Sequence, residues 1–250
     1  MSDFNNGFSR PMPQTADMSV DAGLRAFMLG VYNKLALGLV VAGALAWVVG
    51  NVPEVTQYFY VANDAGRITG MSPLGMAVQW APLVLIFGSM FFMKRPTPVG
   101  TSLLYWAVVV TMGASLGWIF LVYTGASVAT TFFVTAAAFG GLSLYGYTTK
   151  RDLGPMGTFL IMGVIGLVIA SVVNMFLGSS LLSLGISAIG VLIFSGLIAF
   201  DTQRLKMTYY ALGGDQAAMS VATSYGALNL FINFVNLFLF LLRFMGGNRN

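Results

Sequence analysis

The stretch LLSLGISAIGVLIFSGLIAF, residues 181–200, contains no charged side chain, and the residue that follows it is Asp201. A run of this length matches the ~20 apolar residues that cross the hydrocarbon core of a bilayer as one helix. A carboxylate at the end of such a helix is unfavourable unless it is hydrated, paired or protonated, and for that reason it is a candidate functional residue. The stretch therefore predicts a membrane helix that ends at residue 200, with a functional site beside it.

The composition extends this interpretation to the whole chain. Of the 250 residues, 57% are hydrophobic and 8% are charged, and the mean hydropathy is +0.82. Soluble domains contain roughly 25% charged residues. Several apolar runs are long enough to span a bilayer, and the alternating pattern of a membrane β-barrel is absent from the sequence. These features indicate an all-α integral membrane protein.

The chain contains neither His nor Cys. Disulfides, thiol nucleophiles, catalysis by His and the common zinc and copper sites are therefore excluded. An aspartyl intramembrane protease needs two membrane aspartates, and a retinal protein needs a Schiff-base lysine in its last span; the sequence meets neither requirement. We expect no enzymatic activity and no cofactor. The net charge of +4 arises from residues near span ends, so we expect no nucleic-acid partner.

Seven spanning helices are predicted between a polar cytosolic tail, residues 1–28, and a short C-terminal tail, residues 247–250. The spans are residues 29–50, 74–93, 102–123, 128–148, 156–177, 181–200 and 222–244. A seven-helix transmembrane domain thus occupies residues 29–246, with no further domain outside the membrane. Six spans with a re-entrant final hairpin are the alternative.

Basic residues predict the orientation of these spans. Those on one side are Arg10, Arg25, Lys94, Arg95, Lys150, Arg151, Arg204 and Lys206. The loops on the other side contain Arg67 alone among basic residues. The positive-inside rule predicts a cytosolic N-terminus and, with seven spans, an outer C-terminus, although Arg243 and Arg249 do not fit it.

The last span carries a stripe of polar side chains. Tyr225, Asn229, Asn233, Asn236 and Arg243 are spaced so that they share one face of a helix. Because lipid offers no partner to an amide, we expect this face to point into the bundle. The stripe forms either a polar path, or contacts that only hold helices together at about 1 kcal/mol each.

Asp201 has two interpretations of its own. It is a site residue at the end of the sixth span, or the N-cap of a cytosolic helix that begins near Thr202, and both hold if the helix breaks there. Its candidate partners are the basic residues Lys94, Arg204 and Lys206. Burial and a nearby cation act on the pKa of a carboxylate in opposite directions, which suits a latch that senses pH or ions.

Small residues predict close helix packing within the chain. Gly113 and Gly117 form a GxxxG pair in the third span, and Ala42 and Ala46 form a similar pair in the first. Lys34, near the start of the first span, is expected to extend its ammonium group to the cytosolic interface.

Three stretches carry family motifs: VYNKLALGL (residues 31–39), GLIAFDTQRL (196–205) and ALNLFINFVNLFLFLLRFMG (227–246). They resemble the Bax inhibitor-1 family, also called transmembrane Bax inhibitor motif proteins, and the last two stretches are the specific ones. The resemblance covers the chain from about residue 24 to residue 246. It implies a bundle of six helices around a central, polar seventh helix.

The resemblance also implies a function. Members of this family are linked to a passive, pH-sensitive leak of calcium ions, bacterial members also to modulation of a membrane-bound ATP-dependent protease, and eukaryotic members to restraint of cell death. In the leak, two aspartates form a pair on the cytosolic side, and a basic residue at the end of the second helix helps to latch the pore. By motif, the first aspartate is Asp201, the second is replaced by Asn233, and the basic residue is Lys94.

Asn233 in place of an aspartate changes the expected chemistry. Two carboxylates that share a proton titrate as a coupled pair, whereas a pair of Asp and Asn has one titrating member. We therefore predict a weaker or displaced pH response. Calcium usually takes about 6–8 oxygen ligands, so Asp201 with amide and carbonyl oxygens predicts only a weak, transient calcium site. Conduction needs no tighter binding.

The leading hypothesis is a cation leak channel in a bacterial inner membrane, gated by contacts among the second, sixth and seventh helices. Its ion pathway contains Asp201, Asn233, Lys94, Asn229 and Asn236. The alternative is a regulator that binds another membrane protein and carries no flux. A polar stripe inside the bundle favours flux, and a stripe that faces outward favours a protein partner.

Overall fold

The structure is a computed structural model that describes residues 22–63 and 68–247. Seven of its helices are long and apolar enough to cross a membrane, in agreement with the prediction of an all-α membrane protein. Tail residues 1–21 and 248–250, which include Arg10 and Arg249, lie outside the described residues, and so does Arg67.

The helices are α1 (Ala22–Asn51), α2 (Pro53–Phe59), α3 (Pro73–Phe92), α4 (Pro98–Ser115), α5 (Ile119–Val122), α6 (Gly125–Thr148), α7 (Gly154–Leu177), α8 (Ser180–Leu212) and α9 (Gln216–Met245). A 3₁₀ turn at Leu116–Trp118 joins α4 to α5, and the three together form the third span, Pro98–Val122. The other spans are α1, α3, α6, α7, α8 and α9. Each predicted span thus corresponds to one helical segment.

Short polar residues and glycines set the helix ends. Ser72, Thr97, Thr124 and Ser179 each precede a helix, and each side-chain oxygen accepts a hydrogen bond from the backbone N–H three residues later. This is the usual N-cap arrangement. α7 ends at Gly178, whose φ of 62° lies in the left-handed region that favours glycine.

Two predicted boundaries differ from the structure. α1 begins at Ala22, so residues 22–28 of the predicted tail are helical. α8 does not end at residue 200 but continues to Leu212. Asp201 therefore lies within a helix, and the predictions that it ends the sixth helix or caps a new one at Thr202 are wrong. Residues 201–212 contain neither Gly nor Pro, so nothing in this stretch stops the helix before Gly213.

The segment between the first two spans contains structure that the sequence analysis did not predict. α2 follows α1 directly, and β1 (Tyr60–Ala62) pairs antiparallel with β2 (Ile68–Met71). A Cβ atom on Gly75 would lie 2.1 Å from the carbonyl oxygen of Phe59, so α3 begins in direct contact with the end of α2. Phe27, near the start of α1, contacts Tyr209, near the end of α8, so these elements after α1 lie at the end of the bundle opposite to the turn between α8 and α9.

α9 is the most buried of the seven spans. It packs against α1, α4, α6 and α8. Half of its most apolar window, 50%, is buried, compared with 11% in α3 and in α7. α3 packs on α4, and α7 packs on α8. The span that carries the polar stripe is therefore also the one with the most protein around it.

The close packing predicted from small residues is confirmed between α1 and the third span. A Cβ atom on Gly113 would lie 2.6 Å from the Cα atom of Ala42. A Cβ atom on Gly117 would lie 2.5 Å from a methyl carbon of Val49. The GxxxG pair thus serves helix packing inside this chain.

Candidate functional site

The turn between α8 and α9 folds the two helices into an antiparallel hairpin. Gly213 and Gly214 have φ of 57° and 90°, where a glycine is favoured. Asp215 then caps α9, since its carboxylate accepts hydrogen bonds from the backbone N–H groups of Ala217 and Ala218 at 2.9 and 3.1 Å. α9 therefore runs back along α8, and polar residues of the two helices meet.

Asp201 and Asn233 are joined across this hairpin. The Nδ2 amide of Asn233 donates a hydrogen bond to Oδ2 of Asp201 at 2.7 Å. Asn233 is 6% exposed, and Asp201 is half-buried. A hydrogen bond to an ionised carboxylate is stronger than one between neutral groups. The structure thus brings together the two residues that the resemblance assigns to the pore.

A cavity of about 330 Å³ lies beside this pair, between α8 and α9. Its polar lining consists of Asp201, Arg204, Thr208, Tyr225 and Asn229. Arg204 follows Asp201 by about one helical turn, so the two opposite charges lie on the same side of α8. One acidic, one basic and three neutral polar side chains suit hydrated ions better than an apolar ligand.

The polar stripe of α9 does not point into the bundle along its whole length. Asn233 is buried, but Arg243 is exposed, so the expectation is wrong for Arg243. Asn229 is exposed because it lies in the cavity, where α8 does not cover α9. Asn236 is half-buried, and its amide donates to the carbonyl of Ile232 in its own helix at 2.8 Å.

The three basic residues proposed as partners of Asp201 lie in different surroundings. Arg204 lines the same cavity as Asp201. Lys206 points to α6, where its Nζ donates to the carbonyl of Tyr147 at 3.3 Å. Lys94 is exposed in the turn after α3, a helix that packs on α2 and α4. The structure therefore does not bring Lys94 to the pair, and its role as a latch stays a prediction.

The two residues after Asp201 fix the rotation of α8 about its own axis, and with it the side to which Asp201 points. Gln203 accepts a hydrogen bond from the backbone N–H of Leu153 at 2.8 Å and donates to the carbonyl of Arg151 at 2.7 Å. It thereby holds α8 to the turn between α6 and α7. The Thr202 hydroxyl lies 3.4 Å from that of Ser143 on α6. Because these neighbours face α6, Asp201 is turned towards α9.

Lys34 makes contacts between helices that the sequence analysis did not predict. Its Nζ donates to the hydroxyl oxygens of Ser102 and Ser224 at 3.0 and 2.8 Å. Its own carbonyl accepts a hydrogen bond from the Tyr105 hydroxyl at 2.6 Å. Lys34 is half-buried where α1, α4 and α9 meet, and the extension of its ammonium group to the cytosolic interface stays a prediction. The sequence signal for this contact was the presence of Ser102 and Ser224 near the starts of the third and seventh spans, on the same side as Lys34.

Lys34→Met is expected to destabilise the bundle. The variant keeps the length of the side chain but removes both hydrogen bonds and leaves Ser102 and the buried Ser224 without this donor. Such bonds contribute about 1–2 kcal/mol within a membrane bundle. Thermal unfolding of purified protein in detergent should show a lower Tm. Lys150→Met, at an exposed position after α6, should leave Tm unchanged. Equal Tm values for both variants would contradict a structural role for Lys34.

The described part of the chain offers no cluster of side chains for a permanently bound metal ion. Residues 22–63 and 68–247 contain no group of three or more Asp, Glu, His or Cys side chains that could hold a metal ion. A cation next to Asp201 would take its remaining ligands from Asn233, Asn229, carbonyl groups or water. Such a set binds calcium weakly, because calcium prefers several carboxylates.

The sequence is similar to proteins from several bacteria. A family described as "Inhibitor of apoptosis-promoting Bax1" matches residues 24–250. A protein of Caulobacter vibrioides is 62% identical over 250 residues, which cover 100% of both chains. A protein of Rickettsia prowazekii is 42% identical over 92% of this chain and 93% of its own. The inner membrane protein YbhL of Escherichia coli is 38% identical over 91% of this chain and 94% of its own.

Proposed function

Because this chain belongs to the Bax inhibitor-1 family, we propose that it lets calcium or another cation leak through a bacterial inner membrane. The location is supported by its seven apolar helices and by its similarity to the inner membrane protein YbhL. The N-terminus is cytosolic in this proposal, as the basic residues beside alternate spans predict. The cavity beside Asp201 then opens to the cytosol.

The observation that carries the proposal is the hydrogen bond between Asp201 and Asn233 at the cavity. An ionisable side chain within a membrane helix indicates an ion or proton pathway by default. Here the carboxylate lines an open cavity on one side and is held by α9 on the other. Cations that enter from the side of the turn between α8 and α9 would pass Thr208, Arg204 and Tyr225 before they reach Asn229 and the pair.

The proposed pathway is gated by contacts among α3, α8 and α9. In this proposal the path runs along α9, which packs on α1, α4, α6 and α8, and the pair closes it. Asn236 lies beyond the pair, where its amide is bound to its own helix in the closed arrangement. Lys94, at the end of α3, supplies the latch when that helix approaches the hairpin of α8 and α9. The protein has no enzymatic activity in this proposal.

Weak binding of calcium suits such a leak. Asp201 is the one acidic side chain in the lining of the cavity, and Arg204 offsets part of its charge. Passage requires that an ion enter readily and leave readily. A site with one carboxylate, amides and water meets this requirement better than a site built for storage.

Asn233→Asp tests the proposal through pH. The variant places two carboxyl groups in contact, which titrate as a coupled pair. At low pH they share a proton and hold α8 to α9, and at high pH both are ionised and repel each other. Calcium flux into dye-loaded proteoliposomes should therefore rise about tenfold between about pH 6 and pH 8, whereas the wild type should change much less.

The matched control for this experiment is Asn236→Asp. It adds the same charge to the same helix, at a residue whose amide contacts its own backbone rather than Asp201. We expect no comparable pH dependence from it. The leak itself is excluded if folded wild-type protein and both variants give no more flux than empty liposomes.

A regulator of another membrane protein, such as a membrane-bound ATP-dependent protease, is the second candidate. The exposure of Arg243 on α9 favours it, since an exposed polar group on a membrane helix suits a protein partner. Folded protein without flux, with photo-crosslinks from position 243 to a single membrane protein in cells, would support this function instead.

A further inference from the structure

A second and larger cavity lies on another side of α9. α1 and α6 both pack on α9, and a cavity of about 560 Å³ lies between them. This volume is within the range of about 300–1,000 Å³ that is typical of small-ligand sites. The residues of α1 that line it begin at Leu39 and end at Asn51, so it lies in the half of the bundle away from the turn after α8.

The lining of this groove is almost entirely apolar. It combines small residues, among them Gly43 and Ala129, with the rings of Phe132 and Phe133. Asn51, at the end of α1, is its polar exception. A buried water needs two to four polar partners, which the interior of the groove does not offer. The interior of the groove therefore suits an apolar occupant rather than water.

The groove opens sideways, to the surroundings of the bundle. Val40, Trp47 and Phe133 line it and are also exposed large apolar side chains. α1 and α6 are both membrane spans by length and composition, so this opening faces the hydrocarbon of the bilayer. The apolar molecules at that depth are lipid chains.

The floor of the groove is α9. Phe234 and Phe238 line the cavity although they are only 3% and 6% exposed. Their rings lie 5.6 and 6.4 Å from that of Phe132 on α6. A molecule in the groove would therefore touch the same helix that carries Asn233, through the adjacent residue Phe234.

We propose that this groove is a binding site for one acyl chain of a membrane phospholipid. The floor residues Phe234 and Phe238 are only 3% and 6% exposed, which favours a thin unbranched chain over a helix of a second copy, about 10–12 Å wide. The headgroup would lie near Trp47 and Asn51, which carry no charge, so the site selects no particular headgroup. The proposal rests on the spans and the groove, and does not depend on a cation leak.

We expect an acyl chain to prefer the groove only moderately over an ordinary lipid-facing surface of the protein. A chain that moves from bulk lipid into the groove leaves one hydrocarbon environment for another, so the hydrophobic effect contributes little. The gain comes from contact with side chains that are already fixed in place. We expect an enrichment of about fivefold over an ordinary lipid-facing surface.

The experiment uses the full chain in vesicles of phosphatidylethanolamine and phosphatidylglycerol that contain a small fraction of phosphatidylcholine with a diazirine on its acyl chain. After photolysis, the labelled residues are mapped by mass spectrometry. In the wild type, label should appear on Phe132, Phe234 and Phe238. Because the two α9 residues are buried, a chain can reach them only through the groove.

Gly43→Phe should remove this label. A Cβ atom on Gly43 has no atom within 4 Å, so the new ring projects into the groove without displacing protein. Label on Phe234 and Phe238 should fall about fivefold. Gly166→Phe on α7 is the matched control, because Gly166 is also exposed with open space around it, and it should leave the label unchanged.

Three results would overturn the proposal, the first two of which come from the map of labelled residues. One is a wild-type map in which the exposed face of α7 is labelled and residues 234–238 are not. The other is unchanged label on residues 234–238 in a folded Gly43→Phe variant. If Gly43→Phe does not fold, the positions labelled in the wild type still test the proposal. The smaller Gly43→Leu substitution then replaces Gly43→Phe in the comparison. Crosslinks between two copies across the groove would also contradict an acyl chain there.

Discussion

Asp201→Asn is expected to lower calcium flux about tenfold or more, since each ~1.4 kcal/mol added to a barrier slows passage tenfold. The variant preserves the shape of the side chain and its ability to accept a hydrogen bond from Asn233. It removes the one negative charge in the cavity between α8 and α9 and leaves Arg204 there unopposed. A divalent cation at this point loses an attraction of several kcal/mol at the effective dielectric of a partly hydrated site. The measurement is initial calcium entry into dye-loaded proteoliposomes at neutral pH.

Glu54→Gln is the matched control for this result. It removes one negative charge from an exposed residue of α2, which lies at the opposite end of the bundle. Flux through this variant should equal that of the wild type. Equal losses of calcium flux in both variants would show that the total charge of the protein, and not the position of Asp201, controls the flux. Unchanged flux in a folded Asp201→Asn variant would show that Asp201 is not part of the pathway.

Gly146→Ala is expected to be the most destabilising of the small substitutions considered. A Cβ atom at this position of α6 would lie 2.1 Å from the carbonyl oxygen of Ala199 and 2.8 Å from its carbonyl carbon on α8. These are backbone atoms that cannot rotate away, so α6 and α8 must separate. Overpacking of this kind costs about 1–3 kcal/mol, and we expect the upper end of that range. Thermal unfolding in detergent should show a clear loss of Tm.

The comparison with Gly141→Ala makes this prediction specific. Gly141 is on the same helix, but a Cβ atom there has no atom within 4 Å. Replacing a helical glycine with alanine normally adds about 1 kcal/mol of stability, so Gly141→Ala should raise or maintain Tm. Opposite signs at the two positions are expected, and a gain of stability at Gly146 would contradict the contact between α6 and α8.

The sequence predicted the seven spans because apolar length is a direct consequence of bilayer thickness. It placed the end of the sixth helix wrongly because hydropathy marks where a helix leaves lipid, not where its backbone hydrogen bonds stop. The better signal was the distribution of glycine. No Gly or Pro occurs between Leu197 and Leu212, and α8 ends as soon as Gly213 permits a left-handed turn.

The pairing of Asp201 with Asn233 followed from family motifs, and no spacing rule alone would have found it. Residues 201 and 233 lie on different helices, so their contact depends on how α8 and α9 are aligned. The same limit explains Asn229 and Lys34. Helical periodicity placed Asn229 on the face of Asn233, but exposure depends on which neighbour covers each turn. The partners of Lys34 come from two distant helices.

The length of α8 has a mechanical consequence. Its 33 residues measure about 50 Å at ~1.5 Å each, against a hydrocarbon core of about 30 Å, so one end is a rigid rod beyond the lipid. Gln203 is hydrogen-bonded to the turn between α6 and α7, so it fixes one point of α8 about which this rigid end can pivot. The arm from Gln203 to Leu212 is about 14 Å, and the arm to Asp201 is about 3 Å. A sideways displacement of a few ångströms at Leu212 therefore moves Asp201 by less than ~1 Å in the opposite direction. A change of ~0.5 Å in donor–acceptor distance is enough to break a hydrogen bond, so this movement could break the bond between Asp201 and Asn233.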